Sequence, residues 1–338
     1  MIFKRSKSNK KSLEIANEIT HDYLYVNKSF SPYKSDSVIT WKENPFNDKT
    51  WCFYFHSLDM VGYLMNAYEL DPRQEYLEKS KWFLESWISS NPSPENQVSP
   101  FAWEDHSTAN RVINIIYFLE FYRESELYDD TFYQKVLGTL EVHGQFLYDD
   151  KNYNFSNNHG IFQDRSLLEL SIMFPEFTDC HKWFDKAIKR IESRLERDVT
   201  VSGVHKEHSA SYHIVVLKLF REINDFLLYH NKSVPILKDK VFKMEEYLAH
   251  IVKPDGKIPM TGDSGNDSIS FLSVENITNP KLLYVRSNGN VGEIPTKDIV
   301  YKDAGVAIFR NDWEINTPIY LKFISSFHSQ THKHADDL

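Results

Sequence analysis

The sequence predicts a mainly α-helical fold that turns to β-strands near its C-terminus, and three observations carry that prediction. Apolar residues recur at three-and-four spacing from about Trp51 to Ile251, glycine is sparse before Gly160, and short β-branched and aromatic runs take over after Pro254. The first long helical pattern carries Tyr54, Leu58, Val61, Met65 and Tyr68 on one face. Further helices are expected around 76–88, 108–122, 130–147, 160–173, 181–195, 209–228 and 237–251. They are separated where breakers sit: Asp71-Pro72, Asn91-Pro92-Ser93-Pro94, Phe174-Pro175 and Lys253-Pro254-Asp255-Gly256. Helix pairs with short links would form a ring or bundle.

Strands are predicted at Ile299–Lys302, Gly305–Arg310 and Ile319–Ile324. The expected organisation is a helical domain over 1–255 and the start of an antiparallel sandwich over 256–338. So few strands cannot bury both faces alone. They are expected either to pack on helices or to continue beyond Leu338, and truncation is the favoured expectation.

Composition narrows the function. With 338 residues, 41% of them apolar, the chain can bury a large core. A formal net charge of −9 argues against a nucleic-acid partner. No apolar run approaches the roughly 20 residues of a membrane helix, and the basic N-terminus leads into no secretory apolar stretch. A cytoplasmic protein is expected unless a leader has been lost. Cys52 and Cys180 lack metal or disulfide spacing and are expected to be reduced and buried.

Three polar clusters stand out. In Asn157-Asn158-His159-Gly160, amide and imidazole donors precede a helix, which suits an anion; a plain helix cap explains the same residues. In Glu207-His208-Ser209-Ala210-Ser211-Tyr212-His213, Ser209 is a good N-cap and Tyr212 falls in the first turn of a helix with the apolar face Val215, Val216, Leu219, Phe220 and Ile223. A phenol placed there can serve as acid or base, or simply open the core stripe. The third cluster runs from His328 to Asp337; its His332-Lys333-His334 points two imidazoles to opposite faces of an extended segment. His334 with nearby carboxylates offers too few ligands for a complete zinc site.

Around these, Trp103, His106, Asn110 and Arg111 would suit a carbohydrate cleft, although Trp103 and Arg111 would serve equally in packing and capping. Thr261-Gly262-Asp263-Ser264-Gly265 is a turn for which loop stabilisation is the default. A glycoside hydrolase would instead pair Glu104 or Asp105 with Asp263.

In this order, Asn157-Asn158-His159-Gly160, Glu207 to His213, Gly262-Asp263-Ser264, and Gly305 to Trp313 leading into His332 to Asp336 resemble the heparinase II/III-like polysaccharide lyases, which include heparin, heparan sulfate and oligoalginate lyases. The resemblance implies an incomplete (α/α) toroid followed by the first strands of an antiparallel β-sandwich. It implies a lyase that cleaves an acidic, uronate-containing polysaccharide or oligosaccharide by β-elimination. Carried over, Asn158 and His159 would hold the uronate carboxylate, Tyr212 would transfer protons, and His332 would be base or positioner. Trp103, His106, Arg111, Glu207 and His208 would line the substrate. His334 would match a first metal ligand; the remaining ligands lie further along the family's sandwich, so zinc would belong to a longer protein. The rivals are a catalytically inactive glycan-binding protein and the toroid hydrolase.

Overall fold

A computed structural model describes residues 1–35, 38–313 and 319–326. The chain divides into two compact units, 1–188 and 189–338. The first unit holds α1 Lys10–Thr20, a short hairpin of β1 Tyr23–Leu24 and β2 Tyr33–Lys34, α2 Lys49–His56, α3 Asp59–Leu70, α4 Gln74–Ser90, α5 Asp105–Tyr122, α6 Asp130–Tyr148 and α7 His159–Met173. The boundary falls inside α8, Cys180–Asp198. In the first unit α5 is the central element: it packs on α3, α6 and α7 and is buried almost continuously from Ser107 to Leu119. A helix buried all round must also bury its polar side chains, so these have to find partners inside.

That requirement explains a break that the sequence pattern does not predict. The stripe from Tyr54 to Tyr68 reads as a single helix, but the chain breaks between α2 and α3 at Leu58, whose φ is +57°. Side chains of α5 take up the backbone groups exposed by the break. Arg111 Nη1 donates to the His56 carbonyl at 2.7 Å, and Asn114 Nδ2 donates to the Ser57 carbonyl at 2.9 Å and to Asp59 Oδ1 at 3.0 Å. Elsewhere the breakers act as expected: α3, α4 and α7 end at Leu70, Ser90 and Met173, and a further helix ends at Ile251, each within a few residues of its proline. Helix α1 was not anticipated; its Asn9 cap forms a capping box with Ser12.

The second unit contains α9 Ala210–Tyr229, α10 Pro235–Ile251, α11 Pro280–Arg286, and a three-stranded antiparallel sheet of β3 Ile299–Tyr301, β4 Val306–Arg310 and β5 Tyr320–Ile324. Helix α10 packs on α9 and α11. The register pairs Ile308 with Ile299 and Lys322, and Phe309 with Leu321. Alternation then sends Val306, Ile308 and Arg310 into the interior, while Val300, Phe309, Leu321 and Phe323 stay exposed. Both cysteines are free and buried.

Candidate active site

Asn158 and His159 sit at the start of α7, and the local bonds separate the capping reading from the anion-binding one. Asn157 Oδ1 accepts the His159 amide at 2.8 Å, so Asn157 does the capping work. Asn158 occupies the N-cap position with a right-handed helical backbone and makes no side-chain cap bond. Its half-buried amide is left uncommitted to the helix that it precedes.

The His159 ring is held from two sides. Its Nδ1 donates to Asp105 Oδ1 at 3.3 Å, and its face stacks on His106 with centroids 4.3 Å apart. Asp105 is in turn fixed by Asn154, whose Nδ2 donates to Oδ2 at 2.9 Å. Gln163 on α7 secures that loop, accepting the Asn154 amide at 2.9 Å and donating to the Asn152 carbonyl at 2.8 Å. The hydrogen bond to Asp105 raises the His159 pKa against the effect of burial, so the imidazolium is favoured. Burial alone would raise the Asp105 carboxyl, yet its hydrogen bonds to His159, Glu104 and Asn154 outweigh that and hold it ionised. Glu104 goes the other way, pushed up to about 7 by burial and by Asp105. It also caps α5, accepting the Ser107 amide at 2.7 Å. His106, enclosed by Phe53, His159 and Phe162, is driven down to about 2 by burial and by the His159 charge. The two stacked imidazoles are therefore pushed in opposite directions, His106 towards the neutral form and His159 towards the protonated one.

Glu104, Asp105 and His159 each bring one oxygen or nitrogen within 4.8 Å of the others, a spacing a metal ion could use. The hydrogen bonds already made by Asp105 account for the cluster as an ion pair. His334, the expected zinc ligand, and His332, the expected base or positioner, lie outside the described residues.

The aromatic and basic candidates of the first unit part ways. Trp103 is only 5% exposed, bonded through Nε1 to the Asn91 carbonyl at 3.2 Å, but it lines a groove of about 530 Å³ together with Asp105, Asn154 and Phe155. Arg111 is fully buried. Its guanidinium lies 3.9 Å from the Trp87 centroid, and Nε donates to His143 at 2.8 Å. Packing and carbonyl bonding, the other reading of Arg111, is the one its surroundings describe.

In the second unit the tyrosine stands where the sequence puts it. Ser209 caps α9 by accepting the Tyr212 amide at 3.3 Å, which sets the half-exposed Tyr212 in the first turn. Val216, Leu219, Phe220 and Ile223 are buried as expected, while Val215 is 39% exposed. The turn motif joins the same place. Ser264 Oγ lies 3.0 Å from Ser209 Oγ and accepts the Ser211 amide at 3.1 Å, docking the loop onto the helix start. His208 is buried with φ +56°, and its Nε2 lies 2.5 Å from Ser326 Oγ at the end of β5. Glu207 is half-buried beside it. Three positions escaped sequence reasoning: Asp105 as the group that orients His159, Asn154 behind it, and Ser264 at α9. Each relation spans 49 to 55 residues, and no local spacing signals it.

The first unit thus carries an amide and an imidazole at the start of α7, and the second a phenol in the first turn of α9, on a mainly helical fold. Residues 3–288 match the family described as Heparinase II/III N-terminus, and the chain belongs to that family. Curated relatives include a heparin-sulfate lyase of Bacteroides thetaiotaomicron, 22% identical over 85% of this chain and 44% of its own length. Another, from Pedobacter heparinus, is 21% identical over 96% of this chain and 51% of its own. The chain thus spans about half the length of the curated relatives it matches. Among solved structures, a heparan sulfate lyase HepC mutant from Pedobacter heparinus superposes with a TM-score of 0.80 at 20% identity, covering 95% of this chain and 52% of that one. A heparinase III with methylated lysines gives 0.81 at 19% identity, covering 99% and 57%. The fold class read from the sequence, helices of a heparinase toroid followed by an antiparallel sheet, is the fold these structures share. No helix among the described residues is long and apolar enough to cross a membrane.

Proposed function

We propose that this protein is a polysaccharide lyase that cleaves an acidic, uronate-containing glycan by β-elimination, heparan- or heparin-like glycans being the first class to test. Its curated relatives are named for heparin sulfate. The observation that carries the reading is His159, hydrogen-bonded to Asp105, which favours its protonated form, next to an Asn158 amide that the helix does not use.

The chemistry explains why such a receptor is needed. A base must take the C5 proton, the electron pair left behind forms the C4=C5 double bond, and the C4–O bond breaks as its oxygen gains a proton. The carboxylate next to C5 resists this, because the transition state adds negative charge to a group that is already anionic. Neutralising that carboxylate comes first, and a cationic imidazole with an amide donor does it in a preorganised way. Tyr212 then has the residue type for proton transfer to the leaving oxygen, and for abstraction at C5. We assign Trp103, His106, Glu207 and His208 to shaping the substrate site, and His332 to the role of base or substrate positioner. In the same reading, 1–255 form the helical domain and the chain beyond begins the sandwich; a zinc site using His334 belongs to that part of the protein.

The test is absorbance of the conjugated enoate while the protein is offered heparan, heparin, chondroitin, alginate and bacterial uronans. A rise identifies both the reaction and its substrate class. Silence with every uronan from protein that still binds them removes the lyase reading and leaves glycan binding.

A further inference from the structure

The second unit holds a cavity that none of the roles above uses. It measures about 550 Å³ and opens between the residues that follow α10, the turn after α11 and the end of β4, with Lys253, Asp255, Tyr284, Arg310, Asp312 and Trp313 among its walls. Arg310 is 6% exposed. Its guanidinium is sandwiched between two rings, 3.8 Å from the Trp313 centroid and 4.9 Å from that of Tyr320. One nitrogen, Nη2, donates to the His250 carbonyl at 2.8 Å and to the Val252 carbonyl. Its buried Nε has no hydrogen-bond partner, and no carboxylate among the described residues pairs with this side chain.

Charge on the walls makes that lack informative. Asp255 is already matched by Lys253 at 3.1 Å, and Asp312 by Lys297 at 3.4 Å. Arg310 is the charge left over. A buried cation short of a counter-ion is costly, and an anion entering the cavity relieves that cost. Trp313 stands at the same wall, and Tyr284 meets it edge-on with centroids 6.5 Å apart, so an apolar ring surface lies beside the charge. Carboxylates and sulfates form strong charge-assisted bonds with guanidinium, and sugar rings bury their C–H faces on aromatic side chains.

We propose that this cavity is a binding subsite for one anionic sugar unit, its carboxylate or sulfate group bonded to Arg310 and its ring set against Trp313. The choice of an acidic sugar rests on the proposed function; the anion requirement rests on Arg310 alone.

The test is calorimetric titration with glucuronate, N-acetylglucosamine 6-sulfate and glucose, using the whole chain without turnover. Arg310→Met removes the charge. Val285→Trp fills the cavity from α11 without touching Arg310, so it decides the matter if Arg310→Met fails to fold. The expected result is binding of at least one anion and not of glucose, weakened by about tenfold or more in each folded variant. The better of the two anions then identifies the group. No anion binding by folded wild-type protein, equal affinity in Val285→Trp, loss only in Asn158→Ala, or equal binding of glucose overturns the subsite. Anion binding without elimination of any uronan would leave the subsite standing and remove the lyase reading.

Discussion

At the scale of single residues, the account depends on two side chains with different jobs. Tyr212→Phe deletes one hydroxyl from the first turn of α9, so turnover should fall at least about 100-fold while glycan affinity and melting temperature stay near wild type. Asn158→Ala should also lose turnover, yet cost little stability, because Asn158 makes no cap bond; a collapse in melting temperature would restore the capping role. The Asp105–His159 pair gives a pH signature. Because the folded His159 pKa lies above its ordinary value, the pair's stabilisation is full below the ordinary histidine value and fades as pH rises through the folded one. Asp105 is depressed, so its share is present above the ordinary carboxyl value and fades as pH falls through the folded one. Asp105→Asn should therefore destabilise most between roughly pH 4 and 7 and least at pH 9, and should move the alkaline fall in turnover to lower pH. Parallel thermal melts and rate profiles across that range check both. The placement of Asn158, His159 and Tyr212 at helix starts was legible in the sequence because each sits in a local helix-start pattern. Asp105 and Asn154 could not, since their function exists only once α5 and the loop before α7 are side by side.

Elements show where periodicity is enough and where it is not. Most helix ends were legible from proline and asparagine punctuation. The division of α2 from α3 was not, because the apolar stripe continues through it and the stabilising groups, Arg111 and Asn114, come from α5. The start of α9 depends on a distant loop in the same way. Ser264→Ala removes the hydroxyl shared with Ser209 and Ser211, and should cost about 1 kcal/mol in denaturant unfolding while lowering turnover through a misplaced Tyr212. Helix α7 holds the N-terminal segment through Glu169, which accepts the Phe3 amide at 2.7 Å from a fully buried position. Burial pushes this carboxyl up to about 8. Its neutral form suits the fold, so stability should decline as pH rises from the ordinary carboxyl range towards that value. Glu169→Gln should abolish the decline and melt above wild type at pH 9; a variant that melts lower at pH 9 would mean that the ionised carboxylate is the stabilising form.

For the whole molecule, membership of the heparinase II/III family and the shared fold are shown by the match over residues 3–288 and by superposition on solved relatives. The chain spans about half of those relatives, and its sheet exposes Val300, Phe309, Leu321 and Phe323. The activity of the whole protein is therefore the claim to measure. The proposed reaction type rests on one physical requirement: a charged receptor for the carboxylate suits elimination next to a uronate, where negative charge builds, and hydrolysis has no such need. Mass spectrometry of products formed in ¹⁸O-labelled water decides between the two. Elimination predicts fragments that sum to the mass of the substrate, carry an unsaturated non-reducing end and contain no solvent oxygen. Fragments that gain one water and carry the ¹⁸O label would contradict the account.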